Sequence, residues 1–143
     1  MEPADLVLQD ARIINVFSGD IHDGSVAVAN GTVVGIGDYK GRETFDLHGA
    51  FLAPGFVEGH IHIESSMLTP PEFARAVIPH GTTTVVADPH ELANVLGLEG
   101  INFMIAQSEN LPLSVFFMIP SCVPSSPLET SGAVLSAREI HYF

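Results

Sequence analysis

The sequence has 143 residues, of which 46% are hydrophobic and 15% are charged. This composition excludes a disordered chain and allows one compact domain, but a closed (β/α)8 barrel needs roughly 250 residues. The 17 acidic residues against 5 Lys and Arg give a net charge of −12, which argues against nucleic acid or an anionic membrane surface as a partner.

The cellular setting is indicated by features that the sequence lacks. Cys122 is the single cysteine, so no intrachain disulfide can form, which favours a reducing compartment. The acidic start, MEPADLVLQD, has neither the cationic beginning nor the apolar core of a signal peptide. Apolar runs fall well short of the roughly 18 residues that a membrane span requires. We therefore expect a soluble, cytoplasmic protein.

Residues 1–50 contain short β-prone runs separated by turn residues. Asn30 and Gly31 lie between two valine-rich runs, a pattern that predicts a two-residue hairpin turn. We interpret this part as a small antiparallel sheet or sandwich, and we assign residues 1–50 to a β-sandwich portion.

From residue 51 to residue 143 the pattern changes to strands that alternate with helices. Thr69, two prolines and Glu72 have the form of a capping box, so we expect a helix from Pro70 to about residue 80. Gly81 would end that helix. Such alternation indicates a parallel sheet. The predicted strands are residues 56–63, 83–88 and 113–119.

The segment FVEGHIHIE, residues 56–64, combines histidines with acids at alternate positions. On a strand these side chains share one face, and the other face is apolar. Two histidines two residues apart can offer imidazole nitrogens to one divalent ion. The alternative is that they are hydrogen-bonded polar residues of a core. Acids on the same face make burial costly without a cation, so we favour metal binding. The residues on this face are Glu58, His60, His62 and Glu64.

The end of the second predicted strand adds further polar residues. Asp88, His90 and Glu91 follow it closely, at the edge where active sites of parallel α/β proteins lie. The alternative is a capped loop, because Asp before Pro is a common turn signal and Glu91 favours a helix start. A ligand or substrate-positioning role and a capped loop both stay open on this evidence.

Two longer patterns carry a resemblance. APGFVEGHIH, residues 53–62, resembles the metal-binding first strand of the amidohydrolase superfamily. HIHIESS at residues 60–66, combined with HGTTT at 80–84 and DPHELANVLG at 88–97, resembles the adenine deaminase family within it. This resemblance covers essentially the whole chain. The H-x-H part is shared by many hydrolases, including dihydroorotases, imidazolonepropionases and sugar-phosphate deacetylases, and the combination of HIHIESS with DPHE narrows the resemblance.

The resemblance implies a (β/α)8 barrel with a small β-sandwich. It also implies hydrolysis of adenine to hypoxanthine and ammonia with two divalent ions, manganese first, with iron or zinc as alternatives. His60 and His62 match first-strand metal ligands. The family's bridging carboxylate, its other histidines and its acid–base aspartate lie on later strands, so we identify no catalytic residue in this sequence. We expect four further residues to orient the ligands or hold an accessory ion: Glu64, Asp88, His90 and Glu91.

On this interpretation the fold is α/β, with a β-sandwich portion followed by the first three β/α units of an incomplete TIM-type barrel. Ser136 and Glu139 form a second predicted capping box four residues before the sequence ends at Phe143. We therefore expect an N-terminal fragment with little or no activity alone.

Two alternatives to this function stay open. One is another amidohydrolase that acts on a cyclic amide. The other is a non-catalytic remnant or subunit that forms a homo-oligomer or is completed by another chain, because its third strand leaves an open edge.

Overall fold

The computed structural model describes residues 3–141 and residue 143. Its strands and helices confirm the mixed α/β class that the sequence predicts. The chain divides into two compact units, Met1–Pro54 and Gly55–Phe143. Among the described residues, no helix has both the length and the apolar character that crossing a bilayer demands.

The first unit is a five-stranded mixed sheet with β1 at its centre. β2 and β3 pair as an antiparallel hairpin, whereas β4 and β5 run parallel to β1. The expectation of an antiparallel sheet is therefore wrong for β4 and β5, because residues 37–40 carry the chain from β3 to the far side of β1. A second sandwich layer stays a prediction. The strands are β1 (Ala4–Asn15), β2 (Asp20–Ala29), β3 (Thr32–Ile36), β4 (Gly41–Asp46) and β5 (Phe51–Leu52).

The hairpin turn at Asn30 and Gly31 is confirmed. Their φ angles are +52° and +71°, which places both residues in the left-handed region that a tight β2–β3 connection uses. Asp10 also has a positive φ, +52°, and lies where the pairing of β1 with β2 shifts register between Leu8 and Ala11. A bulge of this kind lets one long strand bend without ending.

The second unit has a three-stranded parallel sheet in the order β6, β7, β8. One α-helix, flanked by two 3-10 turns, connects β6 to β7, and two α-helices connect β7 to β8. The core beneath this sheet includes Ile63, Phe73, Val85 and Met104. That these elements are the first three β/α units of an incomplete TIM-type barrel stays a prediction. The elements are β6 (Phe56–Ile61), α1 (Pro70–Val77), β7 (Thr82–Ala87), α2 (His90–Leu96), α3 (Leu98–Gln107), β8 (Ser114–Phe117) and α4 (Ala137–Ile140).

The two predicted capping boxes have different outcomes. At Ser136 the box forms, because its hydroxyl accepts from the Arg138 amide and Glu139 accepts from the Ser136 amide. At Thr69 the prediction is wrong, since no side-chain cap forms. Prolines at the first two helical positions have no N–H groups, so fewer donors there need a partner. Gly81, with φ +93°, ends the segment as predicted, after a 3-10 turn over Ile78–His80.

Two glycines allow the backbone of α2 to be approached closely. A Cβ placed on Gly100 of α3 would lie 2.6 Å from the Leu92 carbonyl oxygen. A Cβ on Gly132 would lie 2.3 Å from the Val95 carbonyl oxygen. Because only glycine lacks that carbon, these two contacts fix how near the neighbouring segments come to α2.

Candidate functional site

The two histidines of the H-x-H pattern lie at the carboxyl end of β6. β6 ends at Ile61, so His60 is on the strand and His62 follows it. Their ring centroids are 5.1 Å apart and their planes are nearly perpendicular. The His60 side chain is exposed, whereas His62 is partly buried. Parallel pairing with β7 brings Asp88, the residue after β7, to the same edge.

The predicted strand is two residues too long. Ile63–Ser66 form a 3-10 turn, so Glu64 does not share a strand face with Glu58 and His60 as predicted. The cause is the core, because Ile63 is fully buried in it. Glu58 accepts a hydrogen bond from the backbone amide of His60. It belongs to none of the groups of described residues that could hold an ion.

The tautomer of His62 follows from its hydrogen bond. Nδ1 lies 2.7 Å from the backbone carbonyl oxygen of Asp88. A carbonyl oxygen can only accept, so Nδ1 carries the proton and Nε2 of the neutral ring keeps its lone pair. Metal-binding histidines are commonly held in this way by a carbonyl or carboxylate on the other nitrogen. The Glu91 carboxylate, 3.4 Å from Nδ1, adds electrostatic support.

The same surroundings shift the pKa of His62. The hydrogen bond to the Asp88 carbonyl raises it above the usual value for histidine, burial opposes that rise, and the charges of Glu91, Asp88 and Glu64 add to it. The imidazole is therefore surrounded by groups that stabilise positive charge. A site of that character favours a cation, whether a proton or a metal ion.

Two overlapping groups of side chains bring ligand atoms together. In the first, His60, His62 and Asp88 each offer an atom within 4.8 Å of the others. In the second, His62, Glu64 and Glu91 do the same. The ring of His90 is 6.3 Å from that of His62, beside but outside both groups.

Two carboxylate oxygens in these groups are buried without a hydrogen-bond partner among the described residues. They are Glu64 Oε2 and Asp88 Oδ1. Burial raises the pKa of Glu64, although its backbone hydrogen bonds oppose this rise. Burying a negatively charged oxygen is costly unless a cation or a donor faces it. The two oxygens therefore fit a site that takes up a positive charge.

Hydrogen bonds join the 3-10 turn after β6 to the first turn of α2. Glu64 Oε1 accepts from the amides of Glu91 and Leu92, at 3.1 and 3.3 Å. The Ser65 hydroxyl donates to Glu91. Ser65 is not among the predicted site residues, although it belongs to the HIHIESS pattern at residues 60–66. For Glu91, burial opposes a fall in pKa, but the hydrogen bonds from Ser65 and from its own amide lower it.

One further group lies in the first unit. Asp10, Asp46 and His48 are exposed, with ligand atoms within 4.8 Å of one another. Asp46 accepts from the backbone amide of His48 at 2.8 Å, and this hydrogen bond closes a turn. His48 is exposed and lies in that turn. That hydrogen bond and the 3.2 Å contact between His48 Nδ1 and Asp46 Oδ1 account for the proximity of these two side chains.

Comparison with known proteins extends these observations. Adenine deaminase 2 of Carboxydothermus hydrogenoformans is 55% identical over 142 residues, which are 99% of this chain and 25% of that protein. An adenine deaminase of Geobacillus kaustophilus is 54% identical over 140 residues, 98% of this chain and 24% of that protein. This chain thus spans about a quarter of the length of these curated relatives.

Solved structures share the fold at low sequence identity. N-acyl-D-glutamate deacylase from Bordetella bronchiseptica, complexed with zinc and a phosphonate inhibitor, matches 82% of this chain and 30% of its own, with a TM-score of 0.63 and 22% identity. D-hydantoinase from a Thermus species matches 78% of this chain and 26% of its own, with a TM-score of 0.61 and 21% identity. The profile of the amidohydrolase family matches residues 51–142, which include His60, His62 and Asp88. The chain belongs to the amidohydrolase family.

Proposed function

We propose that this chain supplies the first-strand metal ligands of an adenine deaminase-type hydrolase, which converts adenine and water to hypoxanthine and ammonia. The observation that carries the proposal is the group His60, His62 and Asp88 at the carboxyl edge of a parallel sheet. The relatives named adenine deaminase, at 55% and 54% identity, support the choice of substrate.

The residues present fit a divalent ion. Two imidazole nitrogens and a carboxylate oxygen are a ligand set that zinc, iron and manganese accept. Asp88 Oδ1 is buried without a partner among the described residues, as an oxygen reserved for a cation would be. When bound, such an ion would lower the pKa of its water toward about 7 and so would supply hydroxide at neutral pH.

The chain's own residues prepare this site. His62 holds a proton on Nδ1 through the Asp88 carbonyl, which leaves Nε2 as the donor toward the ion. Asp88 thus acts twice, through its backbone carbonyl on His62 and through its carboxylate as a ligand. We assign no group here that passes a proton to the departing amine, so we expect little or no deaminase activity from residues 1–143 alone.

Metal binding tests the first part of the proposal. Titration of the chain with Mn²⁺ or Zn²⁺ should give an affinity that falls at least about tenfold in His60→Ala and in His62→Ala. His22→Ala is the matched control, because His22 lies on β2 in the other unit. Equal affinity in all four proteins would refute the metal site.

A chimera tests the reaction. Residues 1–143 would replace the matching part of the Geobacillus kaustophilus relative, which aligns over 140 residues. The chimera should release ammonia from adenine and should leave dihydroorotate intact, and His62→Ala should lower that activity at least about 100-fold. A metal-loaded chimera that acts on dihydroorotate and not on adenine would overturn the choice of substrate.

The proposal includes two ions in the complete enzyme, with manganese preferred, and adenine as a small-molecule partner. We further propose a cytoplasmic enzyme of purine metabolism that binds neither nucleic acid nor membranes, in keeping with the net charge of −12. Self-association or completion by another chain stays a prediction, and light scattering tests it.

A further inference from the structure

Glu64 contacts the start of α2 from a different loop. Its Oε1 accepts hydrogen bonds from the amides of Glu91 and Leu92. Pro89, the residue that precedes α2, makes no side-chain cap. Amides in a first helical turn have no partner within the helix. Glu64 therefore satisfies two donors that α2 cannot satisfy itself.

The segment that Glu64 holds is the one that contacts His62. The Asp88 carbonyl lies 2.7 Å from His62 Nδ1, and the Asp88 amide donates to the Ile61 carbonyl at 2.8 Å. Only Pro89 and His90 separate Asp88 from the amides that Glu64 binds. A shift of the start of α2 would therefore move the Asp88 carbonyl relative to the imidazole.

We propose that Glu64 is a positioning residue for His62: by holding residues 88–92 through Oε1, it keeps the Asp88 carbonyl on Nδ1 and so keeps the lone pair of His62 on Nε2. This inference rests on the proposed function for its relevance, because a metal ion would bind His62 through the lone pair on Nε2. It concerns an interaction that exists without metal, so the two can fail separately.

A competing role is direct ligation. His62, Glu64 and Glu91 also form a group whose ligand atoms lie within 4.8 Å of one another. A ligand needs the negative charge of Glu64, whereas a positioning residue needs only an acceptor oxygen at the right reach. Glutamine keeps the oxygen and loses the charge, whereas aspartate keeps the charge and shortens the reach.

The test compares Glu64→Gln, Glu64→Asp and Glu64→Ala in the metal-free chain. Long-range ¹⁵N NMR at about pH 9, where the imidazole is neutral, reports which nitrogen of His62 carries the proton. Wild type and Glu64→Gln should show the Nδ1–H form, and the Asp and Ala variants should show a mixture of both forms. Glu72→Ala is the matched control, because Glu72 lies on the surface of α1.

The same variants are then titrated with Mn²⁺. Glu64→Ala should lose about 10- to 100-fold in affinity, and Glu64→Gln should lose less. Two results would overturn the inference: the Nδ1–H form persisting in both Glu64→Asp and Glu64→Ala, or Glu64→Gln losing as much affinity as Glu64→Ala while it keeps that form. If Glu64→Ala does not fold, the Asp and Gln variants alone decide. Absence of Mn²⁺ binding in wild type would overturn the proposed function and leave the tautomer result intact.

Discussion

Replacing Gly100 with alanine sets two effects of opposite sign against each other. Gly100 lies inside α3, where alanine is more favourable than glycine by roughly 0.8–1.0 kcal/mol. Helix propensity alone therefore predicts a more stable protein. The structure predicts the reverse, because the added Cβ would lie 2.6 Å from the backbone carbonyl oxygen of Leu92.

The size of the effect follows from that distance. Real Cβ atoms essentially never lie closer than 3.0 Å to such an atom, so α2 and α3 must separate by at least about 0.4 Å, the difference between the two distances. The obstacle is backbone rather than the tip of a flexible side chain, so no rotamer change relieves it. Overpacking of this kind costs about 1–3 kcal/mol. After the gain in propensity, we expect a net loss of about 0–2 kcal/mol.

Urea unfolding measures this difference as a change in midpoint at constant slope. Gly59→Ala is the matched control, because a Cβ there meets nothing within 4 Å, and β6 should gain about 0.5–1 kcal/mol from losing its glycine. The essential result is that Gly100→Ala is less stable than Gly59→Ala. A Gly100→Ala variant as stable as Gly59→Ala would show that the contact with Leu92 does not constrain α2.

Three further changes test other parts of the fold. Ile63→Ala should lower the free energy of unfolding by about 2–5 kcal/mol and Ile63→Val by about 0.5–1.5 kcal/mol, because the Ile63 side chain is fully buried. Equal losses in the two variants would argue against tight packing around Ile63. Gly31→Ala should cost roughly 1–2 kcal/mol, since φ is +71°, and Gly31→Asn should cost less, which the same unfolding assay compares. The Asp46 carboxyl accepts hydrogen bonds from the His48 amide and from the Gln9 side chain, and these bonds hold its pKa below the usual value, with the His48 bond contributing more. Its contribution to stability is therefore present at neutral pH and is lost as the pH falls through that lowered pKa. Carboxyl ¹³C NMR should find its midpoint below the usual value for an aspartate, and a midpoint above that value would contradict the hydrogen bonds.

Local patterns in the sequence predicted the hairpin at Asn30 and Gly31, the parallel sheet and the place of the two histidines. These patterns failed where contacts with residues distant in the sequence determine the local structure. The alternation of apolar and polar residues extends through residue 64, but the strand ends at Ile61 and a 3-10 turn follows, which buries Ile63 in the core. In the same way, nothing near β4 indicates that it pairs with the far side of β1.

The candidate site shows the same division. The residue types and the spacing of His60 and His62 indicate metal chemistry without a structure. The contact of Glu64 with amides 27 and 28 positions away depends on the pairing of β6 with β7, which the sequence does not specify residue by residue. The Asp88 carbonyl is a backbone group, so its hydrogen bond to His62 cannot be predicted from the type of residue at position 88.

The order of strands along the chain has a consequence for how the protein emerges from the ribosome. Every pairing in the first sheet lies within residues 4–52, so all its partners are synthesised before the H-x-H pattern. In the second sheet each new strand joins the one made just before it. His60, His62 and Asp88 are therefore all synthesised before β8, but the core beneath them contains Met104 of α3, so the candidate site gains its packed support only once α3 is made.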